Sequence, residues 1–110
     1  MTGTKISTTI DFSPGHVVYE AIAFDNWQEW MAQDDNLTED LLQVEFPGEV
    51  LLDVGWYPEF DRSGQFQVRV IRNAQWDMPI FYAEVAGPDV LHSVLDAARQ
   101  TATEAALAVA

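Results

Sequence analysis

Apolar residues recur at every second position in two central segments of the chain, residues 49–56 and 65–72. The repeating positions are Val50, Leu52, Val54 and Trp56 in the first segment and Phe66, Val68 and Val70 in the second. Successive side chains of a strand point to opposite faces of a sheet, so a period of two predicts strands with one apolar face. The turn-forming pair Pro47-Gly48 joins the first segment to another predicted strand, residues 42–46. The middle of the chain is therefore predicted to form antiparallel strands connected by short returns.

Two flanking regions are also predicted to be extended. Residues 6–12 and 17–24 are rich in β-branched residues, and the turn sequence Ser13-Pro14-Gly15-His16 separates them, which predicts a first hairpin. The second of these segments is also compatible with a helix, because it contains alanine and glutamate. A last strand is predicted at residues 80–85, after a loop around Trp76.

A short helix is predicted between the first hairpin and the central strands. Trp27, Trp30 and Met31 are spaced i, i+3 and i+4, which places them on one face of a helix that runs from Asp25 to Gln33. Asp25 is the expected N-cap. Residues 37–42 are predicted to add a turn or two of irregular helix.

The last element is predicted to be the only long helix. Pro88 suits its first position, and Asp89 suits the positive end of its dipole. Its predicted apolar face, which extends to about Ala108, carries Val90, Val94, Ala97, Ala98 and Thr101.

These elements predict an α+β fold. Their order is ββα-ββββ-α, a mostly antiparallel, single-layer sheet of about five to six strands covered by a long C-terminal helix and a short helix. A chain of 110 residues has room for one core, so residues 1–110 are expected to form a single acidic globular domain.

Charge is distributed very unevenly along the chain. Eighteen aspartates and glutamates oppose five lysines and arginines, for a formal net charge of −13. Thirteen of the carboxylates lie between Lys5 and Arg62, a stretch that contains no lysine or arginine. Ion pairs within this stretch cannot neutralise it, so it predicts a negative field directed toward a basic partner. The same shortage of cations argues against direct binding to nucleic acid or to anionic membranes.

The chain contains no cysteine, which excludes disulfides, thiolate metal sites and cysteine nucleophiles. Its first nine residues lack the apolar run of a signal peptide, and no later stretch has the composition of a membrane span. We therefore expect a cytoplasmic protein.

The motifs of catalysis are missing, so an enzyme is not expected. The two histidines, His16 and His92, accompany no nucleophile elbow, phosphate-binding glycine loop or HExxH sequence. Residues 34–45 match part of an EF-hand register, but Glu39 occupies the position that requires glycine. No catalytic, cofactor or metal site is therefore predicted.

The segment Gly55–Asp61 is the most distinctive local sequence, and two interpretations of it stay open. Its aromatic residues either cover one end of the core or form an interface in which acidic neighbours face a basic target. Trp76 is expected to extend the same surface. The residues predicted to bind a partner are Asp34, Asp35, Glu39, Asp40, Trp56, Tyr57, Glu59, Phe60, Asp61 and Trp76.

In its size, acidity, absence of cysteine and α+β layout, the chain resembles, in type only, inhibitor proteins that occupy basic active sites. Bacterial toxin-immunity proteins and phage anti-defence proteins that mimic nucleic acid are examples. The resemblance rests on no motif, and it implies a non-enzymatic protein that binds a basic protein, for instance a nuclease or another nucleic-acid-handling protein. Two alternatives stay open: a self-associating module that forms a homodimer through a sheet edge or the terminal helix, and a small-ligand or carbohydrate-binding domain.

Overall fold

A computed structural model of the chain describes residues 10–22 and 27–108. Its elements are β1 (His16–Glu20), α1 (Trp27–Met31), a 3₁₀ turn (Asp34–Asn36), β2 (Leu42–Phe46), β3 (Val50–Tyr57), β4 (Gln65–Arg72), β5 (Phe81–Val85) and α2 (Pro88–Ala108). The five strands form an antiparallel sheet in the order β1-β2-β3-β4-β5, so each strand pairs with its neighbours in the sequence. The predicted α+β fold, a layered antiparallel sheet with a long C-terminal helix, is confirmed.

The hydrophobic core lies between α2 and one face of the sheet, because α2 packs against β2, β3, β4 and β5. β3 and β4 contribute alternate buried residues: Val50, Leu52, Val54, Trp56, Phe66, Val68 and Val70. α2 contributes Leu91, Leu95, Ala98, Ala102, Ala105 and Ala106. Burial of one valine or leucine side chain stabilises a fold by about 1.5–3 kcal/mol, so this layer holds the helix on the sheet.

The buried face of α2 differs from the predicted one. Of the predicted face, Ala98 is fully buried and Val94 packs against the core, but Val90 is 52% exposed and Ala97 is also exposed. The neighbouring Leu91 and Leu95 are fully buried. Apolar residues occur in adjacent pairs along this helix, so two stripes about 100° apart satisfy the same periodicity. Contact with the sheet selects the stripe that contains the larger leucine side chains.

The first predicted hairpin is only partly present. Its turn forms at Ser13 and Pro14, and the Gly15 amide donates to the Phe12 carbonyl oxygen over 2.7 Å. Residues 10–12 are not a strand, and β1 pairs with β2 instead. Residues 6–9 and 23–24 of the predicted strands lie outside the described part of the chain.

Residues 37–41 form neither helix nor strand, so the prediction of irregular helix in this region is wrong. The Leu41 amide donates to the Val54 carbonyl oxygen over 2.9 Å, and the Trp56 amide donates to the Thr38 carbonyl oxygen over 2.8 Å. The segment therefore continues from β2 along β3. A Cβ atom added at Gly55 would overlap the Glu39 carbonyl oxygen, so this close approach requires glycine.

In the described ranges, neither α1 nor α2 combines the length and the apolar composition needed to cross a bilayer.

Substitution of Gly55 by alanine tests the close approach of residues 37–41 to β3. We expect Gly55→Ala to lower the free energy of unfolding by about 1–3 kcal/mol, because the opposing atom belongs to the backbone and cannot rotate away. Urea unfolding measures the loss. Gly87→Ala is the control, since a Cβ atom there would meet only the Asp89 Oδ1 atom at 3.3 Å, and its loss should stay below about 1 kcal/mol. Equal losses for the two variants would contradict the close approach.

Candidate interaction surface

The loop between β3 and β4 folds back onto the segment that precedes β2. The Phe60 amide donates to the Leu37 carbonyl oxygen over 2.7 Å, and the Glu39 amide donates to Glu59 Oε2 over 3.1 Å. These bonds join two parts of the chain that are about twenty residues apart. The exposed carboxylates of this region, which we call the acidic end, are Asp34, Asp35, Glu39, Asp40, Glu59 and Asp61.

Arg62 is the only lysine or arginine between Lys5 and Arg69, and it lies beside the acidic end. Its Nε atom is 2.6 Å from Asp34 Oδ1, and its Nη2 atom donates to the Ala32 carbonyl oxygen over 2.5 Å. Both side chains of the ion pair are more than half exposed, so the pair itself contributes about 0–1 kcal/mol. Six carboxylates less one guanidinium leave a formal charge of −5 at this end.

Asp61 has a structural role within the acidic end. Its Oδ1 atom accepts hydrogen bonds from Ser63 Oγ over 2.6 Å and from the Ser63 amide over 2.9 Å. These bonds favour the ionised carboxylate and lower the pKa of Asp61 below its usual value. Asp61 therefore keeps its charge while it closes the loop.

The aromatic residues of the loop occupy different environments. Trp56 is only 1% exposed, packs edge-on against Phe66 with ring centroids 4.9 Å apart, and donates from Nε1 to the Asp61 carbonyl oxygen over 2.7 Å. The prediction of Trp56 as an exposed anchor is therefore wrong, and the alternative that it covers the end of the core applies to this residue. Phe60 is 55% exposed and stands among the carboxylates of the acidic end.

Tyr57 lies on the face of the sheet opposite α2, in a polar group that sequence analysis missed. The Arg69 guanidinium carbon is 5.6 Å from the centroid of the Tyr57 ring and 5.1 Å from that of Tyr82. Asp53, the direct β3 partner of Arg69, is only 4% exposed and accepts a hydrogen bond from Gln43 Nε2 over 3.1 Å. The available sequence signal was the polar residue within an otherwise apolar β3, but its partners depend on strand register.

Burial raises the pKa of Asp53, and the nearby Asp40 charge raises it further, while the Gln43 hydrogen bond and Arg69 oppose these effects. Tyr57 is also affected, because burial raises the pKa of its hydroxyl. A raised carboxyl pKa means that the folded protein binds the proton more tightly than the unfolded chain does. The ionised form of Asp53 therefore lowers the free energy of unfolding at neutral pH.

The variant Asp53→Asn should be at least as stable as the native chain at pH 7. The amide oxygen can still accept from Gln43, and no buried charge remains. The contribution of Asp53 to native stability should fall as pH rises from the unfolded-state pKa of about 3.9 through the raised folded pKa, and the variant should lack this contribution. Urea unfolding at several pH values checks the result. A variant that is less stable than the native chain above that window would show that Asp53 stabilises the fold through its charge on Arg69.

Trp76 is 46% exposed, but it lies far from the acidic end. Val50 pairs with Arg72 at one end of β3, whereas Tyr57 pairs with Gln65 at the other. The loop of Trp76 follows Arg72, so the length of β3, seven steps of about 3.3 Å or about 23 Å, separates it from the acidic end. The prediction that Trp76 extends the same surface is therefore wrong.

Across residues 10–22 and 27–108, no three carboxylate or histidine side chains are arranged to hold a metal ion. Comparison of the chain with protein-family models, with curated proteins and with solved structures finds no match. Its chemistry is therefore inferred from the side chains themselves, and those of the acidic end offer charge and one exposed aromatic ring.

Proposed function

We propose that this chain is a non-enzymatic binding protein that docks its acidic end onto a basic protein. One observation supports this most strongly: hydrogen bonds join the two segments that carry six exposed carboxylates and the exposed Phe60, and Arg62 is the sole ion-pair partner of these carboxylates among the described residues. Aromatic anchors ringed by polar groups are typical of interface hot spots. Of the ten residues predicted to bind the partner, Trp56 and Trp76 are excluded from this surface, and Tyr57 lies beside it.

The partner we propose is a protein whose lysines and arginines normally hold phosphate groups, such as a toxin nuclease or another nucleic-acid-handling protein of the cytoplasm. Carboxylates of the acidic end would occupy the positions of the phosphates, as in an immunity or anti-defence protein that mimics nucleic acid. Complementary charge accelerates encounter and makes it sensitive to salt, while Phe60 buries apolar area once the complex forms. The proposed function includes no direct binding to nucleic acid or to membranes.

The charge arrangement carries a cost in the free protein that binding would remove. Like charges held close together repel one another, and a cationic partner or added salt reduces that repulsion. Because the carboxylates are exposed, they lose little hydration on folding, so the cost stays moderate. An uncompensated acidic end is therefore better explained by binding than by stability.

Charge reversal tests the proposal. The triple variant Asp35→Lys, Glu39→Lys and Asp40→Lys should keep the fold, since these side chains are exposed, and should bind the partner at least about 100-fold more weakly. The partner is first captured from a lysate of the native host with the chain as bait, eluted stepwise with salt, and then titrated as a purified protein.

The matched control reverses three exposed carboxylates outside the acidic end, Glu45, Asp77 and Glu104. It changes the net charge by the same amount, so a comparable loss in both variants would indicate a general charge effect. Unchanged affinity of the first variant would contradict the proposal.

A homodimer is the second candidate, and the exposed edge strand β1 favours it. Val17, Val18 and Tyr19 are 37%, 51% and 47% exposed, and within the described sheet β1 pairs only with β2. A register shift between Val17 and Tyr19 disturbs this edge, which opposes pairing with a second strand.

Sedimentation over a range of protein and salt concentrations separates the two candidates. The acidic binding protein should sediment as a monomer in the absence of its partner, because net charge keeps copies apart. A tight dimer whose mass is insensitive to salt would favour association through β1. The acidic residues would then serve only to keep the protein in solution.

A further inference from the structure

A pocket lies at the end of the sheet opposite the acidic end, between the β2–β3 turn and the β4–β5 loop. It has a volume of about 380 Å³, and its lining includes Glu45, Phe46, Glu49, Leu51, Ala74 and Trp76. Sites for small ligands occupy about 300–1,000 Å³ and combine apolar walls with a few polar groups. This pocket has the size and the mixed lining of such a site.

The backbone of both loops is held in place around the pocket. The Asn73 amide donates to the Glu49 carbonyl oxygen over 2.9 Å, which ties the turn to the loop. Glu49, Asn73 and Ala74 adopt φ angles of 60°, 56° and 58°, in the left-handed region that non-glycine residues rarely occupy. The connection between the two loops gives Glu49 and Ala74 defined positions in the lining of the pocket.

The chemistry of the lining favours a ligand that carries a positive charge and apolar carbon groups. Phe46 and Leu51 supply apolar surface, and Trp76 presents an indole ring that is 46% exposed. The carboxylates of Glu45 and Glu49 are exposed and make no hydrogen bond or ion pair with any described residue. Aromatic faces and carboxylates both attract cations, and a protein with a net charge of −13 raises their local concentration.

Among the described residues, no lysine, arginine or histidine lines the pocket. Among the strand partners of the lining residues, Arg72 pairs with Val50 and is half-buried, and His16 pairs with Glu45. An anionic ligand would therefore meet two carboxylates without a compensating charge, and a neutral ligand would leave the carboxylates unused.

We propose that this pocket binds a small organic cation of the alkylammonium class. The ammonium group lies between the carboxylates of Glu45 and Glu49 and the indole face of Trp76, while the carbon groups of the ligand rest on Leu51 and Phe46. The site is separate from the acidic end, so it does not depend on the proposed partner.

Choline and its neutral isostere, in which a tert-butyl group replaces the trimethylammonium group, are the probes. The readout is the indole N–H signal of Trp76 in two-dimensional correlation spectra, assigned with Trp76→Phe. Choline should shift this signal with saturation in the millimolar range, as expected for an exposed cation site, whereas the isostere should not. The indole signals of Trp30 and Trp56 should stay in place, because these groups donate to the carbonyl oxygens of Ala21 and Asp61.

Paired variants then test the contribution of the carboxylates. The double variant Glu45→Gln and Glu49→Gln keeps the shape of the pocket and should weaken choline binding by about tenfold. The double variant Asp77→Asn and Glu104→Gln is the control, because these two exposed carboxylates do not line the pocket and their loss changes the net charge by the same amount. It should bind choline like the native chain.

Three results would overturn the proposal. The first is the absence of a saturable shift of the Trp76 signal, which means that choline does not bind. The second is an equal shift with the isostere, which means that the pocket recognises apolar shape without charge. The third is an equal loss of choline binding in the two double variants, which assigns the effect to net charge alone.

Discussion

The hydrogen bonds between residues 38–41 and β3 determine where the acidic surface forms. They carry the chain from the 3₁₀ turn into the sheet and place the Glu39 backbone directly against Gly55. Only a residue without a Cβ atom permits that approach. As a consequence, the β3–β4 loop meets the segment before β2, and carboxylates from both come together at one end of the sheet.

The two faces of the sheet differ in polarity. One face is apolar and packs on α2, whereas the other carries Gln43, Asp53, Arg69 and Tyr82 on adjacent strands. Asp53 is buried within this polar face, and its raised pKa reflects the cost of placing a carboxylate there. Arg69 offsets part of that cost by its charge, and the rings of Tyr57 and Tyr82 in turn hold the guanidinium.

The two ends of β3 present separate surfaces, and the ligands that we propose for both are positively charged. At the Tyr57 end, exposed carboxylates and Phe60 form the acidic end, which we propose binds a basic protein. At the Val50 end, two carboxylates and Trp76 border the pocket that we propose binds a small cation. Both proposals follow from a chain with few cations, but the first depends on many charges across a surface, and the second depends on the lining of a single pocket.

The sequence by itself determined the class of the fold and the sign of its surface charge. Period-two alternation identified β3 and β4, turn residues located the return between β2 and β3, and composition established the charge. These features depend on neighbouring residues along the chain, and so they can be deduced without the structure. The six acidic residues that were singled out are also those that converge, although their proximity to one another was not predictable.

Only the tertiary structure decided which surface each residue faces. Trp56 and Trp76 have similar side chains, yet strand register buries the first and leaves the second at the opposite end of the sheet. Two apolar stripes of α2 have the helical period, and contact with the sheet selects one of them. Residues 37–41 lie along β3 instead of forming a helix because β3 supplies hydrogen-bond partners. In each case the deciding partner is distant in sequence, so local periodicity contains no information about it.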